Sequence, residues 1–107
     1  MGADYNLVFD DVITKQLKKA AKNQHIKEIL TKMLDKLELS GPDAGELLDS
    51  QLSLYEVKIK HPPIRLYYKH NKSTNEIYVF EFEMKTSPEK QETTIKKLKQ
   101  KVSSLKS

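Results

Sequence analysis

Cysteine is absent from the 107-residue chain. Disulfides, thiolate metal sites and cysteine nucleophiles are therefore excluded. Glycine is scarce, with only Gly2, Gly41 and Gly45, so no glycine-rich loop exists to cradle phosphates and nucleoside triphosphate hydrolysis is disfavoured. No run of 18 apolar residues occurs, and nothing is expected to span a membrane. The stretch from Met1 to Asp10 lacks the basic start and apolar centre of a signal peptide. Asn6 stands where a myristoylation signal after Gly2 would need Ser or Thr. The expected location is the cytoplasm. The three histidines, His25, His61 and His70, have no metal-ligand spacing, so neither a metal nor any other cofactor is expected. Arginine is nearly absent as well. Against eighteen lysines there is one arginine, Arg65, which raises the question of what a planar guanidinium does there that an ammonium could not.

What is present suits a folded domain. Hydrophobic residues make up 37% and charged residues 32%, a polar balance, yet the apolar residues fall in periodic runs. The length fits one domain over residues 1–107. The net charge of +4 is unevenly placed. Residues 1–87 carry thirteen cations and thirteen carboxylates, whereas residues 88–107 carry six lysines against Glu89 and Glu92. A basic terminal segment points to an anionic partner, either nucleic acid or an acidic protein.

Periodicity gives the order of elements. Tyr5 to Phe9 reads as a short strand. Asp10 or Asp11 can cap a helix in which Ile13, Leu17 and Ala20 or Ala21 recur at helical spacing. A second helix starts near Gln24, with Ile26, Ile29, Leu30, Met33, Leu34 and Leu37 in one apolar stripe, and stops at Ser40-Gly41-Pro42. Residues 43–51 read as a loop or weak edge. From Leu52 the period changes to two: Tyr55, Val57 and Ile59, then Ile64, Leu66 and Tyr68, then Tyr78, Phe80, Phe82 and Met84. His61-Pro62-Pro63 separates the first two strands, because proline cannot donate to a ladder. Thr86 or Ser87 caps a last helix with Pro88 in its first turn. The predicted fold is α+β in the order β-α-α-β-β-β-α. A small twisted antiparallel sheet packs on the N-terminal helical hairpin, and a basic helix follows.

With the hairpin on one side, strand alternation leaves the other face polar. That face collects Glu56, Lys58 and Lys60, then Arg65, Tyr67 and Lys69, then Glu81, Glu83 and Lys85. Cross-strand ion pairs on a solvated face account for such a pattern. So does an anion-binding concavity in which Lys58, Arg65 and Lys85 converge from three strands, with Arg65 suited to a bidentate grip on phosphate.

Two stretches resemble a known superfamily. Leu54-Tyr55-Glu56-Val57-Lys58-Ile59 followed by Ile64-Arg65-Leu66-Tyr67-Tyr68 is similar to the paired strand motifs of the RelE/ParE/HigB toxins of type II toxin–antitoxin systems. Phe82-Glu83-Met84-Lys85-Thr86-Ser87-Pro88, with the lysine-rich helix after it, is similar to the tail of HigB-like members. The likeness spans about residues 5–105 and is nearest to RelE- and HigB-like members. It implies a metal-independent, ribosome-dependent mRNA endonuclease, in which a ribose 2′-OH attacks its own 3′ phosphate. It also implies a cognate antitoxin, with which the toxin forms a hetero-oligomer, and contact with ribosome and mRNA. By position, the resemblance makes Lys58, Arg65 and Lys85 catalytic and assigns RNA binding to Lys60, Tyr67, Lys69 and Lys90, with Tyr67 stacking on a base. Glu81 or Glu83 is the acid/base candidate. Two alternatives share the fold: a ParE-like gyrase inhibitor, and a catalytically degenerate module that only binds RNA or an antitoxin.

Overall fold

The computed structural model describes residues 4–84 and 87–105. The chain runs β1 (Asn6–Phe9), α1 (Asp11–Ala20), α2 (Gln24–Ser40), a short 3-10 turn (Gly41–Ala44), β2 (Glu46–Asp49), β3 (Leu54–Ile59), β4 (Ile64–Asn71), β5 (Glu76–Met84) and α3 (Pro88–Leu105). The strands form one sheet in the order β1-β5-β4-β3-β2. The expected order of elements is present, with two additions. The weak edge at residues 43–51 contributes a real strand, β2, paired antiparallel to β3. The sheet is mixed rather than wholly antiparallel, because β1 pairs with β5 in parallel. The helical hairpin between β1 and β2 carries the chain away from β1, and the meander then returns β5 alongside it.

Local signals fix the helix ends. Asp10 is the cap of α1, its carboxylate accepting from the Val12 N–H at 3.1 Å. Asn23 caps α2 by accepting from the Ile26 N–H at 3.2 Å, and Ser87 Oγ accepts from the Lys90 N–H at the start of α3. At the end of α2, Gly41 takes φ +52° and leaves no room for a Cβ beside the Tyr5 ring, so glycine is required there. The β3–β4 turn contains a cis His61–Pro62 bond.

The helices lie on both faces of the sheet. Ile13, Leu30, Met33 and Leu37 of the hairpin pack with Val57, Ile64, Leu66 and Tyr68 on one face. On the other, Leu98 and Val102 of α3 pack on Leu54, Tyr67 and Phe80. The second core depends on a bulge. Tyr67 pairs with Glu81 but Tyr68 pairs with Val79, so Phe80 is an extra residue in β5. One extra residue reverses the inward and outward positions along a strand. Strict alternation puts Tyr78 and Phe80 on the face of Phe82 and Met84. The bulge instead turns Tyr78 and Phe80 toward α3, and leaves Ile77 and Val79 to the hairpin core. The polar face expected to be open to solvent is therefore partly roofed by the last helix.

Candidate functional site

Pairing aligns the polar face into rows. Lys58 lies opposite Arg65, and Arg65 opposite Glu83. In the next row Glu56 lies opposite Tyr67, and Tyr67 opposite Glu81. The first row floors an open cleft of ≈ 490 Å³, lined by Lys58, Lys60, Pro63, Arg65, Glu83 and Gln91 among others. Strands β3 and β4 and the turn between them supply the cations, β5 the carboxylate, and the first turns of α3 close one wall.

The charges in this cleft are not all free. Arg65 Nη1 donates to both carboxylate oxygens of Glu56, at 2.9 and 3.0 Å. The Glu56 side chain is 6% exposed and that of Arg65 28%, so the pair sits at the cleft's inner margin and its outer half meets solvent. Among the described residues Lys58 has only a long contact, 3.9 Å, to the exposed Glu46, an arrangement worth well under about 1 kcal/mol. Glu83 is buried and doubly held. It accepts from the Tyr67 hydroxyl at 2.8 Å and from Thr94 Oγ1 at 2.6 Å. Burial, and then the bond to Glu83, push the Tyr67 phenol well above its ordinary value, so it remains a neutral donor.

Glu83 also lines a second cleft, of ≈ 470 Å³, with Gln16, Glu81, Lys90, Thr94 and Lys97. Glu81 is buried there and paired to Lys97 at 3.3 Å. Lys90 is exposed at its rim.

The expected residues thus separate. Lys58, Lys60, Arg65 and Glu83 come together in one cleft, and Glu81 and Lys90 in its neighbour. Lys69 faces the same side but lies four residues along β4 from Arg65, about 13 Å away, opposite Leu54 and Tyr78. Lys85 falls outside the described residues. Tyr67 does not present a ring for stacking on a base. It is fully buried in the α3 core, and its hydroxyl is spent on Glu83. The basic tail is likewise partly consumed, since Lys97, Lys99 and Lys101 pair with Glu81, Asp49 and Asp10. Among the described residues no group of three His, Cys, Asp or Glu could hold a metal ion, and no helix is long and apolar enough to cross a membrane.

Sequence reasoning placed Glu56 on this face without assigning it a role, and missed Gln91 and Thr94. Thr94 and Gln91 continue the inward stripe of Leu98 and Val102 toward the helix start at spacings of three and four. That signal was available, but polar residues on an apolar stripe read as its end.

Tyr67 gives a direct test of the network. Tyr67→Phe keeps the packing and removes one donor from a buried carboxylate, and it is expected to cost about 1–2 kcal/mol. Urea unfolding would show this as a lower midpoint at unchanged slope. An unmoved midpoint would mean that Glu83 is satisfied by water instead.

The fold defines a class. It is that of the RelE toxins, and the likeness read from the strand motifs is borne out at that level. The isolated RelE toxin of Escherichia coli superposes with a TM-score of 0.64 at 22% identity, covering 88% of this chain and 98% of that one. The toxin–antitoxin complex RelBE of E. coli gives 0.63 at 24% identity, over 78% of this chain and 99% of that one. The RelBE2 complex of Mycobacterium tuberculosis gives 0.63 at 15%, over 81% and 97%. No family model and no curated relative matches the sequence.

Proposed function

We propose that this chain is the toxin of a toxin–antitoxin pair, and that it cleaves mRNA on the ribosome until an antitoxin covers it. The observation that carries this reading is the Lys58–Arg65–Glu83 row at the floor of an open cleft. A phosphodiester laid over that row meets two cations and, beside them, one carboxylate. Attack of the 2′-OH on the adjacent phosphorus forms a pentacoordinate, doubly charged centre. Lys58 and the solvent side of Arg65 stabilise that charge, which is larger than the charge of the ground-state phosphate. Lys60 orients the neighbouring phosphate. Glu83, fixed by Tyr67 and Thr94, accepts the 2′-OH proton. The 5′ oxygen leaves and takes a proton from water. The products are a 2′,3′-cyclic phosphate and a 5′-hydroxyl end. The resemblance also assigns Lys85, the residue after Met84 in the sequence, to the same chemistry. The fold likeness to toxins in RelBE complexes supports an antitoxin partner, and the net charge of +4 favours an acidic one.

Glu56 supports a second reading. It neutralises Arg65 in the resting protein, as suits a ParE-like fold that blocks gyrase and has no phosphodiester to cut. Induced expression in a bacterium, with growth and message 5′ ends followed together, separates the two. The nuclease reading expects arrest with new ends inside translated codons. Arrest with intact messages and blocked supercoiling would transfer the function to gyrase. Normal growth would leave a binding module.

A further inference from the structure

Strand β5 loses its outer neighbour partway along. The parallel pairing with β1 ends with Phe9 opposite Val79, and the Asp10 N–H donating to the Val79 carbonyl closes that ladder. Among the described residues, no strand lies beside β5 on that side from Phe80 to Met84. Such an edge presents backbone donors and acceptors with no strand to meet them. The bulge at Phe80 shifts the phase of the strand, and Phe82 is the residue that turns its peptide groups outward.

Gln16 of α1 meets them. Its Nε2 donates to the Phe82 carbonyl at 2.9 Å, and its Oε1 accepts from the Phe82 N–H at 2.9 Å. A side-chain amide has a donor and an acceptor on one edge, so Gln16 pairs with Phe82 as a strand residue would. Helix α1 holds the amide in place. Ile13, three residues earlier, is buried in the hairpin core, Leu17 and Ala20 pack against that core, and Asp10 caps the helix. The residues on either side of Phe82 are the buried Glu81 and Glu83. Tyr67 and Thr94 fix the Glu83 side chain, but a carboxylate is placed only as well as the backbone that carries it. Strand β4 holds that backbone on one side, and Gln16 holds it on the other.

We propose that Gln16 is a positioning residue for cleavage. By closing the open edge of β5 it fixes the Glu83 carboxylate relative to Lys58 and Arg65. This role rests on the reading of Glu83 as the group that accepts the 2′-OH proton. Water would satisfy the Phe82 peptide groups equally well, so what the amide adds is a strand that does not shift. A displacement of about 1 Å at a reacting group costs up to about 10²-fold in rate.

Gln16→Met keeps the reach of the side chain and removes both bonds, and Gln16→Ala repeats the test with no side chain to repack. On ribosomes programmed with a defined message, well below the melting temperature, each is expected to lower kcat about tenfold and to leave KM unchanged. Exchange of the Phe82 amide hydrogen should speed up in both. Leu30→Val, a core truncation in α2 that keeps the amide pair, controls for general loosening: it lowers the melting temperature and leaves kcat at the parent value. Faster exchange with an unchanged kcat would overturn the proposal, leaving Gln16 as a cap on the strand edge alone. So would a rise in KM alone, or an equal fall in kcat in Leu30→Val. Glu83→Gln tells the two readings apart. If it is inactive while Gln16→Met cuts like the parent, only the positioning role is lost. If it cuts like the parent, Glu83 is not the base, and the positioning role goes with it.

Discussion

Replacing Arg65 is expected to abolish message cleavage, with a loss in rate of about 10²–10³-fold. The guanidinium is the one group in the cleft that can meet two phosphate oxygens at once. Its Nη1 is tied to Glu56 by bonds of 2.9 and 3.0 Å. That tie aims the rest of the planar group, and a positioned charge favours the transition state without reorganising. It also answers why the chain uses its one arginine here. A lysine could satisfy Glu56 or the phosphate, but it has no second edge with which to do both.

Arg65→Ala alone is a poor experiment, because it strands Glu56. A carboxylate 6% exposed that loses its cation costs on the order of 3 kcal/mol, enough to mimic loss of function through unfolding. The informative variants are Glu56→Gln/Arg65→Ala, which removes both charges, and Arg65→Lys, which keeps the ion pair. Both are expected to melt near the parent and to lose most of the activity. Full cleavage by the folded double variant would remove Arg65 from the chemistry, leaving it a structural ion pair.

Much of this site could be read from alternation alone. The period of two in β3 and β4 placed Lys58, Arg65 and Tyr67 on one face, and the register bears this out. Two features were beyond the pattern. The bulge at Phe80 has no local sequence mark, since Phe80 is apolar on either face, and only the fit of α3 decides which it takes. The burial of Tyr67 follows from the same event. A tyrosine among lysines and glutamates looks solvent-facing until a helix with Leu98 and Val102 is laid across it. The parallel pairing of β1 was hidden for a related reason. A four-residue strand carries no direction in its composition, and its partner is chosen where the hairpin delivers it. The lysine count misled because total charge says nothing about pairing. The tail holds the excess, and three of its six lysines pair with Glu81, Asp49 and Asp10.

Removing the Asp10 carboxylate is expected to cause the largest loss of stability from a single residue that lines neither cleft. Asp10 is buried where β1 turns into α1, and three elements meet on it. The Val12 N–H donates to it at 3.1 Å, the Tyr78 hydroxyl at 2.9 Å and Lys101 Nζ at 2.7 Å. It therefore caps one helix and pins α3 to the sheet. Burial alone would push its pKa up, but the bonds from Lys101, Val12 and Tyr78 outweigh this and hold it below the ordinary 3.8. Because the folded value is depressed, the contribution is full above the unfolded value and is lost as pH falls through the folded one. Asp10→Ala removes a cap worth about 1 kcal/mol and a charge-assisted bond worth about 2 kcal/mol. For a domain of this size that total lowers the melting temperature by on the order of 10–20 °C. Asp10→Asn, which can still cap, should lose about half as much. Its deficit against the parent should be steady near neutral pH and shrink below about pH 3.8, as first the unfolded and then the folded parent takes up a proton on this carboxylate. Tyr78 sets the opposite limb. Burial and the Asp10 carboxylate push its phenol up to about 12, so its share of the stability holds below pH 10 and disappears as pH rises through 12. Urea midpoints of parent and Asn variant across pH 2.5–7 would decide the point. A deficit that stays constant through pH 3 would mean that the charge is irrelevant and that only the cap matters.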